Sequence, residues 1–219
     1  PSNIVYDPWK TITGRLATAY NSFPILTINK ESRTIIKPQN DLFVELDYNS
    51  AELRTAFGLL KMDQPSIDIH DWILENVFNA KITREKSKEK TFAWLYNAKA
   101  SNKKLEKMLD KEKILDYHYD GKFVDTIYKR KIEVDERKAL NYIIQSTTSD
   151  LVLKQAVKID KLLGKSFIAF IVHDSVVIDV DRSDQSKLNE IINVFSKTDL
   201  GTFKTNVAIG KNFGDMRKV

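Results

Sequence analysis

The spacing of apolar positions changes period several times along the chain, and each change marks an element. Leu42-Phe43-Val44-Glu45-Leu46 is a short apolar run ending at Asp47, and from Asn49 the pattern becomes helical through Leu53, Ala56, Phe57 and Leu60. That predicts strand, turn and helix. Residues 1–38 are polar, with turn signals at Asp7-Pro8, Thr13-Gly14 and Lys37-Pro38, and read as extended segments crossing a surface with few core positions. From about 65 to 136 the pattern gives Lys-rich helical segments around 69–78 and 83–98, a charged stretch over 102–113 and a turn near Asp120-Gly121. A helix is expected from 135 to about 163, buried on one side through Ala139, Ile143, Ile144, Leu151, Ala156, Val157 and Ile159. Two β-branched runs over 167–180, separated by His173-Asp174-Ser175, predict a hairpin; a helix near 185–195 and a strand near 206–209 follow. Strands at both ends around a helical middle imply an α+β fold, a sheet domain with a helical subdomain inserted into it.

Composition narrows the chemistry. The chain has 219 residues, 42% of them hydrophobic, enough for one large domain or two small ones with a real core. With 35 Lys and Arg against 30 Asp and Glu the formal charge is +5, a mild excess that favours a polyanionic partner without proving one. The absence of cysteine excludes disulfides and thiolate metal sites and points to a reducing compartment, so a metal would be held by oxygen or by the three histidines. Oxygen ligands favour a hard cation such as Mg²⁺. There is no apolar run of about 18 residues and no signal-peptide pattern at the start, so neither a membrane span nor secretion is expected. The first residue is not Met, which suggests processing, trimming or a fragment of a longer chain.

Two features carry candidate chemistry. Asp47 ends a strand and Asp174 lies at a hairpin tip; if those strands are neighbours, two carboxylates share one edge of a sheet and can hold divalent cations for phosphoryl transfer. Either aspartate alone would read as a turn or cap residue. Arg84, Lys88, Phe92 and Tyr96 recur every four residues, so on a helix each steps about 40° from the last and all lie on one stripe. The cationic half suits a triphosphate and the aromatic half suits a sugar and base. The plain alternative is an amphipathic helix whose aromatics are core. Glu52, three residues after Asn49, also fits a capping box. His70 and His118, in polar surroundings, read as surface residues.

Several separated blocks, in order, resemble the family A DNA polymerases of the bacterial polymerase I type. They are Thr13-Gly14-Arg15-Leu16; Asp47-Tyr48-Asn49-Ser50-Ala51-Glu52-Leu53-Arg54, similar to motif A; Arg84, Lys88, Phe92 and Tyr96, similar to motif B; and Val172-His173-Asp174, similar to motif C. Glu136, Arg137, Ala139, Asn141, Gln145, Thr147 and Asp150 resemble the helix before motif C, and Val207, Gly210, Asn212 and Phe213 the C-terminal tail. Each block is weak alone, whereas their ordered conjunction across nearly the whole chain is specific.

The resemblance implies a palm of antiparallel sheet and helices in two parts, 1–60 and 137–219, with reduced fingers over 61–136. It implies DNA synthesis from deoxynucleoside triphosphates on a primer–template, with two Mg²⁺ ions, or Mn²⁺ in their place, on Asp47, Asp174 and the Tyr48 carbonyl. Arg84 and Lys88 would hold the triphosphate, Lys88 also protonating the departing pyrophosphate. Phe92 would pack near the sugar, as in members that reject dideoxynucleotides, and Tyr96 would stack at the templating position. Glu52 would exclude a ribose 2′-hydroxyl. Arg15, Asn141 and Gln145 would contact the primer–template minor groove, Arg137 the template strand and His173 the primer terminus.

Some positions depart from the family. Ser175 stands where it usually has Glu, Asn97 where it has Gly, and Ser50 and Ala51 replace larger residues. Asn97 is expected to tolerate a left-handed turn. Only 40 residues separate Tyr96 from Arg137, and nothing before the Thr-Gly-Arg block could form a thumb or exonuclease. The expectation is one part of a split or fragmented polymerase of viral or phage type, in the host cytoplasm, with another polypeptide supplying the thumb. The competing readings are a non-catalytic DNA-binding or assembly subunit and a single-subunit RNA polymerase.

Overall fold

The computed structural model describes residues 3–97 and 100–219. Two compact units emerge. The first comprises residues 1–48, 149–199 and 205–219, and the second residues 49–148 and 200–204.

The first unit is built on a five-stranded antiparallel sheet. Its central strand β3 (Leu42–Tyr48) has β7 (Ser175–Val180) on one side, followed by β6 (Phe167–Val172), and β10 (Thr205–Gly210) on the other, followed by β11 (Arg217–Lys218). Period 2 along β3 sorts the side chains. Val44, Leu46 and Tyr48 face one way, with Tyr48 stacked on Phe195 of α7 (Leu188–Ser196) at 4.1 Å and donating its hydroxyl to the Phe195 carbonyl. Phe43, Glu45 and Asp47 face the other way. Phe43 there joins Phe170, Val172, Val177 and Phe213 in a cluster closed by Ile25.

That cluster corrects the reading of the first 38 residues. The short hairpin of β1 (Tyr6–Asp7) and β2 (Ala17–Thr18) is polar in sequence, yet Ile25 is fully buried and Ile4, Tyr6, Phe23, Leu26 and Ile36 pack against the sheet. The segment is the lid of a core. Its regular elements are two-residue strands and a short 3-10 helix at Glu31–Ile35, too short for a period to announce its apolar residues. Tyr6 anchors it by donating to the Ile171 carbonyl and accepting from the Ile171 N–H. Asp179 adds the backbone N–H groups of Gln39 and Asn40.

The second unit is mostly helical: α1 (Ala51–Leu59), α2 (Ile69–Asn76), α3 (Arg84–Tyr96), α4 (Lys103–Met108) and α5 (Lys111–His118), then the small hairpin β4 (Phe123–Asp125) and β5 (Lys131–Glu133). The long helix α6 (Glu136–Asp160) starts in this unit and ends in the first. The charged stretch over 102–113 falls in two short helices, each started by a side-chain cap, Asn102 and Asp110. The expected C-terminal end of α3 at residue 98 lies outside the described residues. Leu53, Phe57, Ile69, Ile73, Trp94, Leu105, Ile143 and Ile144 form the core. Two further short strands are β8 (Lys197–Thr198) and β9 (Gly201–Thr202).

Arg54 fixes the loop that follows Asp47. It is fully buried and donates to the Asn49, Pro65 and Ile67 carbonyls and to the Asn49 side chain. Burial pushes its pKa down to about 10, so it stays cationic at neutral pH. Arg54→Met removes these donors and leaves three carbonyls unpaired, a change expected to cost about 3 kcal/mol, read as the shift in urea midpoint at constant slope. A loss below about 1 kcal/mol would mean that water replaces the guanidinium.

Candidate active site

Antiparallel register brings the two candidate carboxylates together. Asp47 pairs with Ser175 across β3 and β7, and Asp174 precedes Ser175 in the two-residue connection from β6. Chain atoms so related lie roughly 5–8 Å apart, which side-chain rotation can narrow to a bridging distance. The connection is strained: His173 has φ 55°, a left-handed value that costs a β-carbon residue about 1 kcal/mol and usually selects Gly in such turns. The imidazole of His173 is exposed at this tip.

The electrostatics of Asp47 differ from those of the other acids in this unit. Asp184 is held well below the usual carboxylate range by Lys187 and by the backbone N–H groups that clamp it, among them Ser166 and Gly164. Asp47 is raised to about 6, first by burial, then by the charges of Asp174 and Glu45, with the Asn206 amide and Lys218 acting against them. Asn206 Nδ2 donates to Asp47 Oδ2 at 3.1 Å. A half-buried carboxylate pressed by like charges and incompletely compensated is where a cation would relieve repulsion.

Ser175 corrects one detail of the site. Its hydroxyl donates to Glu45 Oε1 at 3.1 Å, so the face that lacks the expected third carboxylate on β7 receives one from β3. Glu45 escapes sequence reasoning because it reads as the polar position of an alternating strand. Its place two residues before Asp47 is the one available signal. Among the described residues no three His, Cys, Asp or Glu side chains converge on one point, so the oxygen donors for a metal are the Asp47–Asp174 pair with backbone, water or ligand oxygens. The Tyr48 side chain points to the opposite face, which leaves only its carbonyl as a donor. These donors fit a hard divalent cation.

In the second unit the stripe of four lies on the open side of α3. Arg84, Lys88 and Tyr96 are exposed and Phe92 half-buried, while Ser87, Thr91, Trp94 and Leu95 form the buried side. The plain alternative, aromatics as core, is therefore wrong here. The Phe92 and Tyr96 rings stack at 5.8 Å and the Lys88 ammonium lies 5.7 Å from the Phe92 centroid. Arg84 is engaged by Asp68 and Asp71.

Glu52 does not cap. The N-cap of α1 is Ser50, left-handed at φ 56° and without a side-chain cap bond, and the Asn49 side chain serves Arg54, Asp68 and the Ile69 N–H instead. The Glu52 carboxylate accepts from the Tyr96 hydroxyl. His70, read as a surface residue, is buried against this group: its ring meets the Phe92 edge at 5.4 Å and its Nε2 lies 2.7 Å from the Ser50 hydroxyl. Burial, with Lys88 and Arg84 nearby, lowers its pKa and keeps it neutral. Asn97 is extended at φ −103°, so the left-handed turn expected there does not form.

Arg137, Asn141 and Gln145 follow one another at helical i, i+4 spacing along α6. Tyr96, Arg137 and Asn141 line one cavity of about 370 Å³ with Leu95, Leu115 and Leu140 and the charged Lys111, Glu112 and Glu136. Arg137 is exposed and paired with Asp135. In the first unit, Arg15 is exposed beside the left-handed Gly14 (φ 73°), in a turn closed by Gly14 N–H on the Thr11 carbonyl.

The antiparallel sheet with helices packed on one side is a polymerase palm-like α+β architecture. The POL domain of Pol1 from M. smegmatis, solved in complex with DNA primer-template and dNTP, matches with a TM-score of 0.73 at 17% identity, over 97% of this chain and 48% of that one. At that identity the likeness establishes the fold, and the chain spans about half the length of the structure it matches. No family model and no curated relative matches the sequence. Among the described residues no helix is long and apolar enough to cross a membrane.

Proposed function

We propose that the chain is the palm and reduced fingers of a DNA polymerase, adding deoxynucleotides to a primer 3′-hydroxyl by two-metal phosphoryl transfer. The observation that carries this reading is the register that pairs Asp47 with Ser175, next to Asp174 in the chain, at one end of the adjacent strands β3 and β7, in a chain with a polymerase-domain fold. Bound Mg²⁺ would activate the attacking hydroxyl and neutralise the leaving phosphates.

The chain's own residues divide the remaining work. Asp47 and Asp174 supply anionic oxygens, with the Tyr48 carbonyl between strand and loop as a further donor. Lys88 contacts the phosphates and delivers a proton to pyrophosphate as it departs; Arg84 holds the same anion. Phe92, backed by neutral His70, packs on the sugar. Tyr96 closes the cavity with Asn141 and Arg137 and stacks on a template base. Asn141, Gln145 and Arg15 read minor-groove acceptors, which correct pairs share, and His173 meets the primer end.

Primer extension with Mg²⁺ and deoxynucleotides tests the reading, with Asp174→Asn as control. Extension lost in the variant supports it; binding of primer–template that is equal in both proteins, with no extension by either, favours the assembly-subunit reading. The sugar gate has its own test. With the Glu52 carboxylate fixed by Tyr96, Glu52→Ala opens the space for a 2′-hydroxyl and is expected to cut discrimination against ribonucleotides by about 100-fold in kcat/KM, the scale of a rejected hydroxyl. Unchanged discrimination would leave Glu52 a purely structural partner of Tyr96.

A further inference from the structure

Arg84 reaches its neighbours with one edge of its guanidinium. Nη2 lies 3.0 Å from Asp68 Oδ1 and Nε is bonded to Asp71 Oδ1, both acceptors belonging to the first turn of α2. The two acids are not equivalent. Asp68 is a structural residue: it N-caps α2 through the His70 and Asp71 N–H groups and accepts from Asn49 Nδ2 at 2.7 Å. The Asp71 carboxylate caps nothing, and among the described residues its hydrogen bond is to Arg84.

We infer that Asp71 is a positioning residue that competes with the nucleotide: its carboxylate occupies the Arg84 edge that phosphate oxygens would take, and it yields when the triphosphate arrives. The inference rests on the reading of Arg84 as a phosphate ligand. A carboxylate and a phosphate offer the guanidinium the same anionic acceptors, and one Nε–Nη2 edge cannot serve both in full. The pair is also open to water, with side-chain exposures of 42% for Arg84 and 46% for Asp71, so it is weak enough for a polyvalent anion to displace. Asp71 therefore sets a threshold. A singly charged or small anion gains too little to open the pair, whereas a triphosphate, which meets Lys88 as well, gains enough.

The test is a comparison of wild type, Asp71→Asn, Arg84→Ala and the double variant by two measurements: calorimetric titration with inorganic tripolyphosphate, which engages the phosphate site without catalysis, and KM and kcat for dNTP on a primer–template. The expected result is binding tightened about threefold by Asp71→Asn, with KM lowered equally, kcat unchanged, and no such gain in the Arg84→Ala background. Weaker or unchanged binding in Asp71→Asn, with Arg84→Ala still impaired, overturns the competition and leaves the phosphate role of Arg84 standing. A gain that persists without Arg84 also overturns it, since Asp71 would then act by general repulsion. If Arg84→Ala changes nothing, or wild type binds no tripolyphosphate, the reading of Arg84 fails and the inference with it.

Discussion

Asp47→Asn is expected to abolish nucleotide addition, by about 10⁴-fold, and at the same time to stabilise the metal-free chain at pH 8. The pKa of Asp47 is raised to about 6 by burial and by Asp174 and Glu45. A carboxyl group whose proton is held more tightly folded than unfolded contributes stability below its unfolded pKa near 4, and that contribution is lost as pH rises through about 6. At pH 8 the ionised group is therefore a burden on the fold. A shift of about two units corresponds to about 3 kcal/mol, and with part of the carboxylate still wetted the net gain on neutralising it is about 2 kcal/mol. For a chain of this size that is about 4–8 °C in melting temperature. Asn keeps the shape and can still accept from Asn206, so the gain is not confounded by a cavity. At pH 4 the two proteins should melt together. Added Mg²⁺ should stabilise wild type and leave the variant unchanged. A variant that melts lower than wild type at pH 8, or that still extends primers, would remove Asp47 from the catalytic account.

Lys88→Ala is expected to behave in the opposite sense, with no gain in stability and a loss of about 10³-fold in kcat. Lys88 is exposed on α3, and what truncation removes is the ammonium near Phe92, so melting should move by no more than about 1 °C. A group that donates a proton to pyrophosphate and neutralises its charge acts in the transition state, so the loss should fall on kcat more than on KM. Lys88→Arg keeps the charge but yields a proton far less readily, and should restore dNTP binding without restoring rate. A loss confined to KM would make Lys88 a simple phosphate ligand.

Much of the fold and of the site is legible in local pattern. The run 42–46 and the hairpin 167–180 have a strand period, and β3, β6 and β7 form where those periods lie. The four-residue spacing of Arg84, Lys88, Phe92 and Tyr96 is enough to put them on one helical stripe. What local pattern misses is whatever depends on neighbours remote in sequence. His70 has the acids Asp68 and Asp71 close by in the chain and Phe92 beside it in space. Residues 3–38 lack any period because their regular elements are too short to show one, and Asn97, free of a left-handed requirement, is extended.

The sequence by itself determined which segments alternate, which coil, and that an acid ends β3 and another sits at the β6–β7 tip, because side-chain direction along an element follows from its own geometry. It placed Arg84, Lys88, Phe92 and Tyr96 on one stripe of α3, and only the structure decided that this stripe faces outward. Only the tertiary structure decided that Asp47 stands opposite Ser175, that Glu45 turns to the same face, that Glu52 meets Tyr96, and that Arg84 is already held by Asp68 and Asp71. Those facts depend on strand order and register between segments more than a hundred residues apart, or on helix packing within one unit, and a slip of one residue in register would turn Asp47 to the opposite face.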